Sequence, residues 1–190
     1  MIVDALILAG GRSSRLGGSD KRKLVLDGET LLRRSIRAVG DAGVRTVVVV
    51  GDDGEHGVPT VREEPPYSGP VAALAAGMRA LPGAADAVAV LACDMPGIDR
   101  ALPALLAAFR GDGVIALDRG RRQQLAIVVD PGALRSALAT LPTVVDASMR
   151  DLLDRLDLVE TVVPDGATDD IDTWDDAARF GAVSTAGARA

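Results

Sequence analysis

The sequence predicts a three-layer α/β domain built around a mostly parallel sheet, and three features of the chain point there. Short apolar runs alternate with helical patterns, and the joints between them are short. Two of the runs, residues 46–50 (TVVVV) and 87–92 (AVAVLA), are too apolar for a sheet with one wet face. No internal repeat, linker or shift in composition divides the chain, so residues 1–183 read as one domain. Residues 184–190 are small and polar and read as a flexible tail.

Taken in order, residues 2–8 form a buried strand interrupted only by Asp4, and it empties into Ala9-Gly10-Gly11. Residues 23–26 are a short extended piece ending at Asp27-Gly28, a turn dipeptide. Thr30 caps a helix whose Leu31, Leu32, Ile36 and Val39 keep helical spacing, with a stop near Gly40 and Gly43. Residues 46–50 are a central parallel strand, and the loop after them holds His56, the only histidine, which receives no role. Residues 58–61 are a third strand ended by Arg62-Glu63-Glu64-Pro65-Pro66. Pro70 suits the first position of an alanine-rich helix over 71–81, because its missing N–H has no partner there. Residues 87–92 are a fourth strand, followed by Cys93-Asp94-Met95-Pro96 and a helix over about 100–109. A strand pair, 114–117 and 125–129, is joined by the polar turn 118–124. Helices over 131–141 and 147–156, a last strand at 158–163 and a short helix at 173–180 close the chain.

Composition narrows the function. With 190 residues, 48% hydrophobic and 25% charged, the chain can bury a real core and carries no disorder signature. No apolar stretch reaches the roughly 18 residues of a membrane helix. Asp4 stands where a signal peptide carries basic residues, and the single Cys93 cannot form an internal disulfide. Both observations lead to the expectation of a cytoplasmic protein. A net charge of −6 argues against a general nucleic-acid binder. The early cations Arg12, Arg15, Lys21, Arg22 and Lys23 stand out from that acidic background and point to a small anionic ligand.

The stretch ALILAGGRSSRLGGSDK, residues 5–21, brings those cations to a glycine turn after a strand. Glycines let main-chain N–H groups converge on an anion, so the stretch reads as a polyphosphate cradle. The glycines alone would fit an ordinary βα turn; Arg12, Arg15 and Lys21 at this spacing favour the cradle. It is not a P-loop, because Lys21 stands three residues past Gly18, and GGRSSRLGG lacks G-x-G-x-x-G. Asp94, straight after an apolar strand, sits where open α/β sheets bind ligands and suits Mg²⁺ beside phosphate. Alone it would read as a turn or cap residue. Cys93 beside it reads as a small buried spacer, since no histidine lies nearby in sequence to activate it. Residues 169–176 hold a dense run of acids around Thr173. Thr173 as N-cap, with the helix dipole, accounts for Asp175 and Asp176 better than for Asp170 and Asp172.

The opening stretch resembles the pattern L-A-G-G-x-S-x-R-M/L-G-x-x-K, shared by sugar-nucleotide pyrophosphorylases and the molybdenum cofactor guanylyltransferases of the MobA-like nucleotidyltransferase family. Residues 93–96 resemble the guanylyltransferase C-D-M-P, and residues 170–176 the close N-x-N-T-P-E-D or D-x-D-T-P-E-D, with Trp174 replacing proline. Glu63 with Gly69-Pro70 is similar to R-D-E…G-P-L-A-G, although Glu63 replaces Asp and Ala73 the second glycine. Gly51 stands where bacterial relatives often carry Asn. The likeness spans about residues 3–180.

That resemblance implies a Rossmann-like nucleotidyltransferase fold and Mg²⁺-dependent transfer of GMP from GTP to the phosphate of molybdopterin, with release of pyrophosphate. It implies that Leu8, Ala9, Gly10, Gly11, Arg12 and Lys21 hold the nucleotide, and that Lys21 and Arg15 offset charge on the phosphates. It places Glu63 and Gly69 at guanine, where a carboxylate accepts from N1–H and the exocyclic amine together. Asp94 would hold the metal, supplemented by Asp172 or Asp170. GTP and molybdopterin are the implied partners, with other cofactor-biosynthesis proteins or a molybdoenzyme beyond them; nucleic acid and membrane are not. A cytidylyltransferase is favoured by D-x-D-T but disfavoured by G-P-V-A-A-L and C-D-M-P. A sugar- or alcohol-phosphate nucleotidyltransferase is a further alternative, as is a catalytically silent nucleotide-binding regulator. Lys21 and Asp94 count against the last.

Overall fold

The computed structural model of the protein describes residues 1–10, 23–51 and 57–184. Strand β1 (Val3–Leu8) is buried at every position, as a strand covered on both faces must be. Strands β2 (Val25–Leu26) and β3 (Glu29–Thr30) pair antiparallel as a small hairpin turned by Asp27-Gly28, both with positive φ. Thr30 caps α1 (Leu31–Asp41), its hydroxyl accepting the Arg33 N–H at 3.3 Å. Strands β4 (Thr46–Val50) and β5 (Thr60–Val61) follow, then α2 (Gly69–Ala80), β6 (Ala87–Ala92) and α3 (Ile98–Ala108). The chain continues through β7 (Gly113–Asp118), β8 (Arg121–Val129), α4 (Pro131–Ala139), α5 (Met149–Leu153), β9 (Leu158–Val162) and α6 (Trp174–Phe180). No helix among the described residues is long and apolar enough to cross a membrane.

Among the described residues seven strands form one sheet in the order β5-β4-β1-β6-β8-β7-β9. Strands β5, β4, β1 and β6 are parallel, as are β7 and β9, and β8 runs antiparallel to both β6 and β7. The expected mostly parallel sheet is therefore present, with one reversed strand. Leu6 lies level with Val48 on one side and Val90 on the other. Side-chain alternation splits the core in two. Ala5, Ile7, Val49 and Leu91 pack with Leu32 and Val39 of α1 and Leu102 and Leu105 of α3. Leu6, Val48, Val50 and Val90 pack with Leu74 and Met78 of α2, Leu134 of α4 and Leu152 of α5. A smaller cluster joins Leu24, Leu26 and Leu31 to Ile171, Ala177 and Ala182, tying the C-terminal segment to the hairpin.

The structure moves several boundaries, each for a local reason. Strand β5 is limited to Thr60–Val61 instead of 58–61, because Pro59 has no N–H to donate to a ladder. The β7–β8 turn is only Arg119-Gly120, both with positive φ, so residues 121–124 are strand and carry their polar side chains outward. Gly69, not Pro70, is the first residue of α2, and α3 begins at Ile98. Ser148 caps α5, its hydroxyl accepting the Asp151 N–H at 3.4 Å, which starts that helix after residue 147. Asp4, the lone acid of β1, is fully buried and accepts two bonds from the Arg45 guanidinium, at 3.0 and 2.7 Å.

Candidate functional site

The carboxyl ends of the parallel strands β4, β1 and β6 meet along one edge of the sheet, where ligands bind in open α/β folds. The Ala9 N–H donates to the Val50 carbonyl at 2.8 Å, and the Cys93 N–H to the Leu8 carbonyl at 3.1 Å. Leu8 and Ala9 are thereby locked into the sheet and buried. Gly10 is exposed, and nothing lies within 4 Å of where its Cβ would stand, so main chain is open to a ligand there. Opposite it, a Cβ on Gly51 would stand 2.8 Å from the Ala9 carbonyl oxygen; only glycine lets β4 close this tightly on β1. Gly11, Arg12, Arg15 and Lys21 lie outside the described residues, as does His56.

Asp94 follows β6 by two residues and is half-buried. Helix α1 braces its loop from one side: the Ser35 hydroxyl donates to the Cys93 carbonyl at 3.3 Å and Arg34 Nε to the Pro96 carbonyl at 2.9 Å. Cys93 itself packs in the core, which suits the spacer role. From the other side comes the segment after β9. The Ile171 N–H donates to the Asp94 carbonyl at 3.0 Å, and the Ile171 side chain is fully buried. Asp170 and Asp172 flank Ile171 and are therefore carried to the Asp94 corner, though they are 76 and 78 residues away in sequence.

Two further acids of that run, Asp176 and Asp169, are engaged in structure. Asp176 completes a capping box on α6: its Oδ2 accepts the Thr173 hydroxyl at 2.7 Å and the Thr173 N–H at 3.0 Å, while Thr173 Oγ1 accepts the Asp176 N–H. The Thr173 hydroxyl is the largest influence holding the Asp176 carboxyl below its ordinary range, against a smaller desolvation effect. Asp169 pairs with the Arg119 guanidinium and lies 3.8 Å from Arg179.

Sequence reasoning missed Asp118, the last residue of β7. It is 2% exposed and its carboxylate gathers the loop after β9. Oδ1 accepts the Gly166 N–H at 3.0 Å, and Oδ2 accepts the Thr168 N–H at 3.0 Å and the Thr168 hydroxyl at 2.8 Å. Arg119 Nε adds a bond at 3.2 Å. Burial pushes this carboxyl up, but the bonds from Thr168, Gly166 and Arg119 together outweigh it and hold it below the usual carboxylate range. One signal was available: Asp118 closes an apolar run just as Asp94 follows one.

At the β5 side of the edge, Glu63 is 6% exposed and its Oε1 accepts the Tyr67 N–H at 2.8 Å, closing the turn over residues 63–67. Arg62 stacks on the half-exposed Tyr67 ring at 4.6 Å. Gly69 has φ +87°, and the Asp146 N–H donates to the Ser68 carbonyl at 2.8 Å, so the loop before α5 leans on the start of α2. Glu63 and Gly69 thus share one corner, and Asp94 and Asp172 another.

As a cation site the second corner offers hard oxygen donors. Among the described residues no group of three or more His, Cys, Asp and Glu side chains converges as a metal cage. One or two carboxylates completed by substrate phosphates are the donor set that Mg²⁺ takes, and Asp94 with the acids beside Ile171 fits that chemistry.

Comparison with known proteins adds to this geometry. Residues 5–161 match the model of the MobA-like NTP transferase domain. A protein of Opitutus terrae described as a probable molybdenum cofactor guanylyltransferase is 36% identical over 138 residues, 69% of this chain and 68% of the relative. A molybdenum cofactor guanylyltransferase of Acidiphilium cryptum is 35% identical over 140 residues, 70% of this chain and 69% of the relative. Among solved structures, a nucleotidyl transferase from Methanothermobacter thermautotroptrophicus superposes with a TM-score of 0.76 at 23% identity, covering 94% of this chain and 95% of the other.

Proposed function

Because the chain belongs to the MobA-like NTP transferase family, we propose that it transfers GMP from GTP to the phosphate of molybdopterin, releasing pyrophosphate. An oxygen of the acceptor phosphate bonds to the α-phosphorus of GTP. The bond from that phosphorus to the bridging oxygen of the β-phosphate breaks, and pyrophosphate leaves with the electron pair. Such a transfer asks the protein for positioning and charge stabilisation more than for covalent help.

Gly10 offers its open main chain to the triphosphate, a role Gly11 shares in the proposed reaction, Leu8 and Ala9 are held to the sheet, and Arg12, Arg15 and Lys21 offset charge on the α-phosphate and the departing pyrophosphate. Glu63 and Gly69 face the guanine. Asp94, with Asp172 or Asp170, would hold Mg²⁺, which supplies Lewis-acid polarisation of the phosphates when bound. The observation that carries the reading is the Ile171–Asp94 main-chain bond, since it brings both candidate metal-binding segments to the edge where Gly10 opens. The guanylyl transfer named for the relatives favours GTP over the cytidylyl alternative. The reading places the reaction in the cytoplasm, where nucleoside triphosphates are made, with other cofactor-biosynthesis proteins or a molybdoenzyme downstream.

Pyrophosphate release with molybdopterin, Mg²⁺ and each of GTP, CTP, ATP and UTP in turn tests this. The reading expects turnover with GTP well above the others; CTP preferred, or no release with any nucleotide, contradicts it.

A further inference from the structure

We infer that Asp118 is a positioning residue for the metal corner: through Gly166 and Thr168 it sets where residues 169–172 lie against Asp94. The inference rests on the proposed Mg²⁺ site and adds to it a residue that never touches the metal.

Asp118 and Asp94 sit at the same edge of the sheet, because β7 runs parallel to β6 with the antiparallel β8 between them. The segment following β9 crosses that edge, and it is pinned at three successive points. At residues 166 and 168 the Asp118 carboxylate accepts two main-chain N–H groups and one hydroxyl, at 3.0, 3.0 and 2.8 Å. At residue 167 the chain presses onto the Asp94 loop: Ala167 is fully buried, and a Cβ on Gly97 would stand 3.2 Å from its carbonyl oxygen and 3.3 Å from its Cα. At residue 171 the N–H reaches the Asp94 carbonyl at 3.0 Å. Of these three, only the Asp118 contact is electrostatically strong, and the Asp169 pair with Arg119, which itself bonds Asp118, adds to the hold from the same end of β7. Hydrogen bonds to a buried carboxylate are about twice as strong as neutral ones, and this carboxyl is held in its ionised form by them. The segment that carries Asp170 and Asp172 is thereby held from the end of β7.

A carboxylate that orients metal ligands without touching the ion typically changes metal affinity by about 10–100-fold when removed. The test measures Mn²⁺ binding calorimetrically to the full chain saturated with a non-hydrolysable GTP analogue, for wild type, Asp118→Asn, Thr168→Val and Asp94→Asn. Binding of the analogue in EDTA is measured on the same preparations. Asp118→Asn is expected to weaken Mn²⁺ about tenfold, and Thr168→Val, which removes only the hydroxyl bond, by a smaller factor. Metal-free binding of the analogue should be unchanged in both, which a general loosening of the fold would not leave intact. Should Asp118→Asn fail to fold, Thr168→Val decides alone. Wild-type Mn²⁺ affinity in the folded Asp118 and Thr168 variants, with Asp94→Asn weakened, would overturn the positioning role and leave the metal site standing. Wild-type Mn²⁺ affinity in Asp94→Asn would overturn both.

Discussion

The main-chain N–H of Ile171 donates to the carbonyl of Asp94 at 3.0 Å, joining the turn after β6 to the segment after β9 across 77 residues of sequence. The junction brings Asp170 and Asp172 to the corner that holds Asp94. The Ile171 side chain is buried among Leu24, Leu31 and Ala177, so the bond is backed by apolar packing that water cannot replace.

Gly97→Ala tests the tightness of the junction. The added methyl would displace the end of the Arg100 side chain, 2.7 Å away, and press on the Ala167 main chain at 3.2–3.3 Å, closer than an ordinary contact, where backbone yields only by shifting the segment. The variant should fold and need a higher Mg²⁺ concentration for half-maximal pyrophosphate release. A magnesium requirement equal to wild type would mean that the segment accommodates the shift without affecting the site.

The Asp118 carboxylate makes stability depend on pH in a definite direction. Its folded pKa lies below the ordinary value, so its contribution is fully present above the unfolded value of about 4 and is lost as pH falls through the folded one. Asp118→Asn should therefore melt below wild type at pH 7, by about 5 °C if the charged bonds contribute about 2 kcal/mol. The gap should narrow below about pH 4. Melting curves of both proteins from pH 7 down to pH 3 check this; a gap independent of pH would assign the loss to shape and not to charge.

Glu63 carries one job in this structure and a second in the proposed reaction, and Glu63→Gln separates them. One oxygen accepts the Tyr67 N–H and holds the turn; an amide oxygen can do the same. The other job, accepting from guanine, fails once an amide donor faces the base. Glu63→Gln should keep most of its stability and lose GTP affinity more than ATP or CTP affinity. Equal loss for all nucleotides would leave Glu63 a turn residue only.

Much of this architecture was legible because local signals agreed with the fold. Thr30 and Thr173 cap the helices expected of them, residues 87–92 are the strand that delivers Asp94, and the 46–50 run is a parallel strand. What could not be read was long-range pairing of polar groups. Asp118 looked like part of a turn because Gly166 and Thr168 lie 48 and 50 residues on. Asp4 looked like an interruption of a strand because Arg45 lies 41 residues away. Residues 121–124 looked like loop because β8 there runs on past β6, beside β7 at residues 121–123, and keeps polar side chains. The acidic run was divided in part from sequence, since Asp175 and Asp176 fall in the first turn of α6 as expected; the pairing of Asp169 with Arg119 and the approach of Asp170 and Asp172 to the Asp94 corner needed three dimensions.

Lys21→Ala addresses the phosphate loop. Removing a cation that the proposed reaction sets against developing charge should lower nucleotidyl transfer on the order of 10²-fold or more, with the melting temperature unchanged. Wild-type turnover at saturating GTP would remove the loop from the mechanism.

The metal role of Asp94 is tested most directly on one preparation of Asp94→Asn, by the magnesium dependence of pyrophosphate release together with its melting temperature. The substitution removes the negative charge at the end of β6 and keeps the size of the side chain and the main-chain carbonyl that Ile171 uses. The account predicts a wild-type melting temperature, metal-free GTP binding intact, and activity that collapses and is at most partly restored by excess Mg²⁺. A folded Asp94→Asn protein that releases pyrophosphate at the wild-type rate with the wild-type magnesium response would contradict it.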